Sequence, residues 1–168
     1  MPIAPIADIP AADVESLLDR AFGADRRTRT AYRLRAGSQA IPELSFAMRD
    51  DAGALQATLQ SWPVRFDADD GHDVPMVLIG PVAVEPAIQR GGIGRVLTHH
   101  MLDRAATGDV AGADALMLIG DPEYYGRFFG FTAVRTAGWR LPGPFDPRRL
   151  LTLGTRVPDG AGTVRPRP

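Results

Sequence analysis

In this 168-residue chain, the residue types that most directly suggest chemistry are in Gln89-Arg90-Gly91-Gly92-Ile93-Gly94. Glycines let a backbone approach a ligand closely. The residues before this turn, Val74 to Glu85, are apolar and rich in Val and Ile, which suits a buried strand. Pro81 and Pro86 make it irregular and end it near Glu85. The residues after it place Ile93, Val96, Leu97 and Met101 at helical spacing, with His99 and Arg104 off that face. A strand, a glycine-rich turn and a helix start together make an anion site, because the free N–H groups of the first helical turn point at whatever sits there. Two phosphate-binding patterns are excluded. A P-loop needs a lysine after its second glycine, and the chain has no Lys. A dinucleotide fingerprint needs a third small residue, where this chain has Leu97. It also needs an acid at the end of the next strand, whereas Asp114 falls at the start of one.

Other constellations carry less. His99 and His100 are adjacent on the helix and face different directions, so they form no metal pair, and His100 falls on the apolar stripe. Asp67 to Asp73 is acidic but lacks the spacing of a calcium loop. No serine sits in a Gly-x-Ser-x-Gly elbow. The absence of cysteine removes disulfides, thiolate metal sites and a Cys acyl-enzyme together. No metal is expected. The net charge of -1 gives no electrostatic case for nucleic acid or an anionic membrane. No apolar run reaches the roughly 18 residues of a membrane span, and Met1 to Asp8 lacks the features of a signal peptide, so a cytoplasmic location is expected. Every basic residue other than His is Arg, for which a GC-rich coding bias is explanation enough.

Around the glycine turn the elements read as follows. Ala11 to Phe22 carries Val14, Leu17, Leu18 and Ala21 at helical spacing and ends at Gly23. Arg26 to Arg35 reads as a second helix. Its arginines suit an acidic acceptor or a terminal phosphate, or else a solvated face. Glu43 to Met48 and Ala54 to Trp62 read as a hairpin about Asp50-Asp51-Ala52-Gly53, with Leu55, Ala57 and Leu59 on the covered side. Ala115 to Gly120 is a short apolar run, expected to lie parallel to the strand before the signature helix. Asp121 and Pro122 start a helix bearing Tyr124 and Tyr125, Gly130 ends it, and Phe131 to Arg135 and Arg149 to Leu153 read as strands. Residues 1–156 form one domain. The tail from Val157, rich in Gly, Pro and Arg, is expected to pack little.

Gln89-x-x-Gly92-x-Gly94, three residues after Pro86, resembles the Gln/Arg-x-x-Gly-x-Gly/Ala signature of the GNAT superfamily of N-acetyltransferases. A second matching piece runs from Gly120 to Phe131. Family members often place a Tyr four residues before the Gly of a Gly-Phe; Tyr125 lies five before Gly130 and is nearer that spacing than Tyr124. The resemblance covers about Ile9 to Leu153. It implies an α/β (α+β) fold, with a mixed, mostly antiparallel central sheet, a parallel splayed strand pair, and flanking helices.

The resemblance also implies a function, the transfer of an acetyl group from acetyl-CoA to an amine acceptor by direct attack in a ternary complex. Val82, Ala83 and Val84 would bind the pantetheine arm like an added strand, and the Val84 N–H could polarise the thioester carbonyl. Gln89, Arg90, Gly91, Gly92, Ile93, Gly94 and Arg95 would hold the pyrophosphate. Tyr125 would protonate the departing thiolate, and Glu43, with Glu85 second, would help the amine lose its proton through water. Tyr124 is expected in the core. The acceptor is expected among the first two helices, the hairpin and the loop Thr136 to Arg148, where Trp139 and the arginines hint at an aromatic or acidic molecule. The rival reading is a GNAT-fold sensor that holds acyl-CoA without turnover; Tyr125 favours the enzyme. A homodimer is compatible with the fold, and no residue pattern fixes it.

Overall fold

The computed structural model describes all residues from Met1 to Pro168. In chain order the strands are β1 (Ile3–Pro5), β2 (Phe46–Arg49), β3 (Leu55–Ala68), β4 (Asp73–Val84), β5 (Leu116–Ile119), β6 (Trp139–Arg140), β7 (Leu150–Leu153) and β8 (Gly162–Pro166). The helices are α1 (Ala11–Phe22), α2 (Thr30–Leu34), α3 (Ile93–Ala105) and α4 (Pro122–Phe129). The main path of the sheet is β1-β2-β3-β4-β5-β7, with β8 beside β3 and β6 beside β8. Pairing is antiparallel except for β4 with β5 and β6 with β8. No helix is long and apolar enough to cross a membrane.

α1 has the bounds read from its spacing, with Val14, Leu17 and Leu18 buried against Ala47 and Ala83 of the sheet. The expected second helix is divided. A 3-10 turn spans Ala24–Thr28 and α2 is only Thr30–Leu34. Arg26 explains the break. Its guanidinium is buried, grips Glu15 and Asp19 of α1, and donates to the Tyr32 hydroxyl, so this turn is tied back across α1. Glu43 to Met48 also begins differently, since Pro42 opens a 3-10 turn over Pro42–Leu44 before β2 starts at Phe46.

The hairpin β2–β3 turns where expected, with the Asp50 carboxylate accepting from the N–H groups of Ala52 and Ala54. Both of its faces are covered, however. Ala57 and Leu59 pack under α3, and Thr58 is buried on the α1 side. β3 also continues past Trp62 to Ala68, pairing with β2 in its first half and with β8 in its second. Residues 157–168, expected to pack little, therefore supply a sheet strand, and Val157 and Val164 are buried. Gly162 makes this possible, because a Cβ there would lie 2.3 Å from Phe66 Cζ. Conversely, Phe131 to Arg135 is not a strand. A single bridge joins Thr132 to Thr152, and Arg135 is drawn off to the Val157 carbonyl and Asp159.

In α3 the buried row is Ile93, Leu97, Thr98, Met101 and Ala105, whereas Val96 is exposed. Thr98 takes the place expected for Val96 because its hydroxyl is satisfied by donation to the Gly94 carbonyl. The two faces of the sheet carry separate cores. α3 and α4 cover Val77, Ile79, Leu116 and Leu118, while α2 covers Met76, Leu78 and Met117.

Candidate active site

β4 and β5 pair only at Val77–Leu116 and Leu78–Met117 and then part. The divergence begins where β4 bulges. Gly80 and Pro81, joined by a cis peptide, stand opposite the single residue Gln60, and the register with β3 shifts there. Beyond the bulge, Val82, Ala83 and Val84 resume pairing with Leu59, Thr58 and Ala57.

Antiparallel pairs alternate between hydrogen-bonded and non-bonded. The Glu85 N–H donates to the Gln56 carbonyl at 2.8 Å, so Gln56–Glu85 is a bonded pair. Thr58–Ala83 is then bonded, and Ala57–Val84 and Leu59–Val82 are not. The N–H and C=O groups of Val82 and Val84 therefore point away from β3 into the open gap. Ala83, expected alongside them, is a correction. Its backbone is committed to β3 and its side chain is fully buried beneath α1.

The chain next runs through a 3-10 turn, Pro86–Gly91, into α3. Gly92 turns the chain at φ 75°, ψ 10°, a left-handed conformation that suits glycine. No side chain caps α3, which leaves the N–H groups of Ile93, Gly94 and Arg95 without acceptors in the helix. The Ile93 side chain goes into the core, so its backbone alone is available. A Cβ on Gly94 would meet Val84 Cγ2 at 3.3 Å and Val82 Cγ1 at 3.6 Å, so glycine lets the helix start sit tight on the end of β4.

Two cavities follow. The outer one, of about 510 Å³, is lined by Gln89, Arg90, Gly91, Gly92, Gly94 and Arg95, together with Tyr124 and Phe128. Arg90 and Arg95 are exposed there without acidic partners, and the Arg95 guanidinium lies 4.7 Å from the centre of the Phe128 ring. The inner cavity, of about 670 Å³, occupies the gap between Leu78–Val82 and Leu118–Asp121 and reaches α2 and the segment Pro144–Asp146. Phe22, Val82 and Tyr125 line both, so the two form one cleft.

Tyr125 stands at the junction. Asp121 caps α4 by accepting from the Glu123 N–H at 3.0 Å, and Pro122 opens the helix, as the sequence implied. The Tyr125 ring is set by Phe129 and Phe131 and lies over Gly120, where a Cβ would be 2.6 Å from its Cε2. Sequence reading missed this use of Gly120; its only signal was a glycine directly before the Asp-Pro helix start. Burial, with smaller pushes from Tyr124 and Asp121 and an opposing pull from Arg149, raises the Tyr125 phenol to about 12. Tyr124 is no core residue. It packs edge-on against Tyr125 and Phe128 and lines the outer cavity only.

The candidate bases are elsewhere. Glu43 lies exposed on its 3-10 turn and borders neither cavity. Ser61 anchors that turn by donating to the Leu44 carbonyl, which holds the segment on the α3 side of the sheet, away from the inner cavity. Glu85 receives two hydrogen bonds from Arg20, at 2.9 and 3.0 Å, and ties α1 to the end of β4. The carboxylates that do line the inner cavity are Asp121, engaged as a cap, and Asp146, which accepts from the N–H and side chain of Arg148. Trp139 is core, packed on Phe66 at 4.8 Å, and the hairpin does not line the cavity. No group of three His, Cys, Asp or Glu side chains is placed to hold a metal.

No family model matches the sequence, and no curated protein matches it. Solved structures do. The chain is 25% identical to a GNAT family N-acetyltransferase (YhbS) from Escherichia coli in complex with CoA, at a TM-score of 0.72, covering 99% of this chain and 89% of that one. It is 25% identical to a GNAT family acetyltransferase from Brucella melitensis in complex with acetyl-CoA, at a TM-score of 0.67, covering 99% and 95%. The chain belongs to the GNAT superfamily. An N-acetyltransferase from Kribbella flavida, 21% identical at a TM-score of 0.54, shares the fold over 78% of this chain and 33% of its own length. This GNAT superfamily chain is an acyltransferase.

Proposed function

We propose that the chain transfers the acetyl group of acetyl-CoA to an amine. The observation that carries this is the continuous cleft in which free backbone groups of Val82 and Val84, the uncapped start of α3 and the Tyr125 phenol follow one another. The groups present fit the cosubstrate. Val82 and Val84 offer the edge of a strand to an extended amide-bearing arm. The N–H groups of Ile93, Gly94 and Arg95, with the Arg90 and Arg95 side chains, suit a diphosphate. The two solved structures above, with CoA and acetyl-CoA bound, support acetyl-CoA as the cosubstrate.

Acetyl-CoA supplies an acyl group already activated as a thioester. The Val84 N–H, which points away from β3, would polarise its carbonyl. No cysteine or serine lines either cavity, in keeping with direct attack by the acceptor amine. Tyr125, with its pKa near 12, keeps its proton at neutral pH and serves as a hydrogen-bond donor to the departing sulfur. A thiol has a pKa of about 8.5, so a phenol of this strength does not finish as the net proton source. The amine nitrogen loses its proton as the amide forms, and that proton ends on the sulfur.

The test is calorimetric titration with acetyl-CoA, followed by loss of thioester absorbance in a mixed pool of amines and amino acids. Binding with turnover is expected. Binding without turnover would favour a sensor, and no binding would overturn the reading.

A further inference from the structure

The inner cavity has a wall that the acetyl donor does not explain. Four arginines line it: Arg26, Arg29, Arg35 and Arg149. Arg26 is spoken for, being held by Glu15 and Asp19 and hydrogen-bonded to Tyr32. Arg29 is exposed, donates to the Phe22 carbonyl and lies over the Phe22 ring. Arg149 is exposed and has no acidic partner. Arg35 differs from all three. It is half-buried, and its guanidinium is stacked 3.7 Å from the centre of the Tyr32 ring and 4.3 Å from that of Trp62. Its Nη1 is buried without a hydrogen-bond partner, and no carboxylate pairs with it. A half-buried guanidinium with no counter-ion costs free energy that an anion entering the cavity beside it would offset. The two acids of this cavity do not provide it, since Asp121 caps α4 and Asp146 is engaged by Arg148.

The setting is built. α2 is fastened to the opposite loop by donation from Thr30 Oγ1 to the Pro144 carbonyl at 2.5 Å and from Arg33 Nη1 to the Pro142 carbonyl at 2.9 Å. The rings of Tyr32 and Trp62 both lie against the guanidinium and restrict its movement. A planar fork so restricted is suited to a bidentate carboxylate. Tyr125 approaches from the α3–α4 side of the sheet and Arg35 from the α2 side, and the inner cavity joins them through the β4–β5 gap.

We infer that the acceptor is a small amine carrying a carboxylate, an amino-acid-like molecule whose carboxylate sits on Arg35 while its amine faces the thioester near Tyr125. This rests on the proposed acetyl transfer and adds the acceptor's class. Arg149 and Arg29 frame the same anion at longer range, and Tyr32 offers an apolar flank to the acceptor's side chain.

The experiment uses the full chain in two stages. CoA binding is first measured by calorimetry for the wild type and for Arg35→Gln, Arg35→Lys and Arg149→Gln. The CoA complexes are then titrated with N-acetylphenylalanine and N-acetylleucine, which keep the carboxylate, and with N-phenethylacetamide and N-isopentylacetamide, which lack it. Expected is binding of the carboxylates at least tenfold tighter than of the matched amides, lost by tenfold or more in Arg35→Gln and only partly kept by Arg35→Lys, with CoA affinity unchanged. Arg149→Gln, altering an exposed side chain, guards against misfolding of the Arg35 variants and should weaken the carboxylates by a smaller factor. Equal binding of carboxylate and amide, no carboxylate binding to a competent CoA complex, or a carboxylate preference that survives in Arg35→Gln would overturn the inference while leaving acetyl transfer standing. Failure of CoA itself to bind would overturn the proposed function and this inference with it.

Discussion

Tyr125 is held by the rings of Phe129 and Phe131 and by the bare backbone of Gly120, which leaves its phenol free for the cleft. Tyr125→Phe keeps this packing and removes the donor, so kcat should fall on the order of 10²-fold while acetyl-CoA affinity stays close to the wild-type value. Steady-state kinetics beside calorimetry checks both. The pH profile follows from the raised pKa. The folded phenol ionises above the unfolded value of about 10, so its contribution to stability is intact below pH 10 and is lost as pH rises from 10 towards 12. Across the working range the donor stays protonated. The kcat/KM should therefore climb as the acceptor's ammonium loses its proton and show no descending limb below about pH 10. A descending limb at pH 8 would mean that another group holds the proton. Gly92→Glu should abolish CoA binding, through a carboxylate in the anion site and a side chain at φ 75°. Gly92→Asn, which tolerates the left-handed region, separates charge from strain and should retain measurable binding. The positions of the glycine turn and of Tyr125 were legible in sequence because a Gly-rich turn before a helix and an Asp-Pro helix start each need specific residue types at specific places. Glu43 misled because a carboxylate at a strand start reads the same whether it faces a cleft or solvent, and Pro42 turns this one out.

At the level of elements, legibility followed hydrophobic pattern. α1 and β5 have the apolar spacing that defines them, and α4 has its cap and its terminal glycine. β8 was invisible because Gly162 to Pro166 alternates with Arg and Pro, and its strand character comes from the open edge of β3. The reverse error, a strand over Phe131 to Arg135, came from an apolar run whose partner edge takes only Thr132. β8 should matter for stability. Val164 is fully buried beside Phe66, its cross-strand partner, in the second core, so Val164→Ala should cost about 2 kcal/mol. Gly162→Ala should cost more, because its Cβ would also lie 2.6 Å from the Asp67 carbonyl. Chemical denaturation of both variants measures this. A tail that merely lay on the surface would leave both midpoints unmoved.

Across the whole molecule, the sheet is weakest where function needs it open. The β4–β5 pair closes over Val77–Leu116 and Leu78–Met117, and beyond those residues no strand pairing joins β4 to β5; the chain that follows β5 returns to the sheet elsewhere, through β8 on β3. The arginine wall of the inner cavity was legible in sequence only as elements, the second helix and the loop before β7, and its geometry was not. Arg35, Tyr32, Arg149 and Pro144 come together only because the gap brings α2 opposite the loop before β7, and no local spacing encodes that. A ligand that spans the gap should therefore tie β4 to β5 as well as occupy a site. At a hundred times its Kd, a ligand that binds only the folded state adds about 2.7 kcal/mol, and for a domain of this size that raises Tm by roughly 5 to 10 °C. Saturating CoA should produce this shift in the wild type and none in Gly92→Glu. Amide hydrogen exchange should localise it, with added protection at Val82, Val84 and the first turn of α3 and little change at Ala83, whose backbone is already committed to β3. Protection confined to the glycine turn would place the diphosphate there and leave the splayed strands unoccupied, and the strand-like capture of the arm by Val82 and Val84 would have to be abandoned.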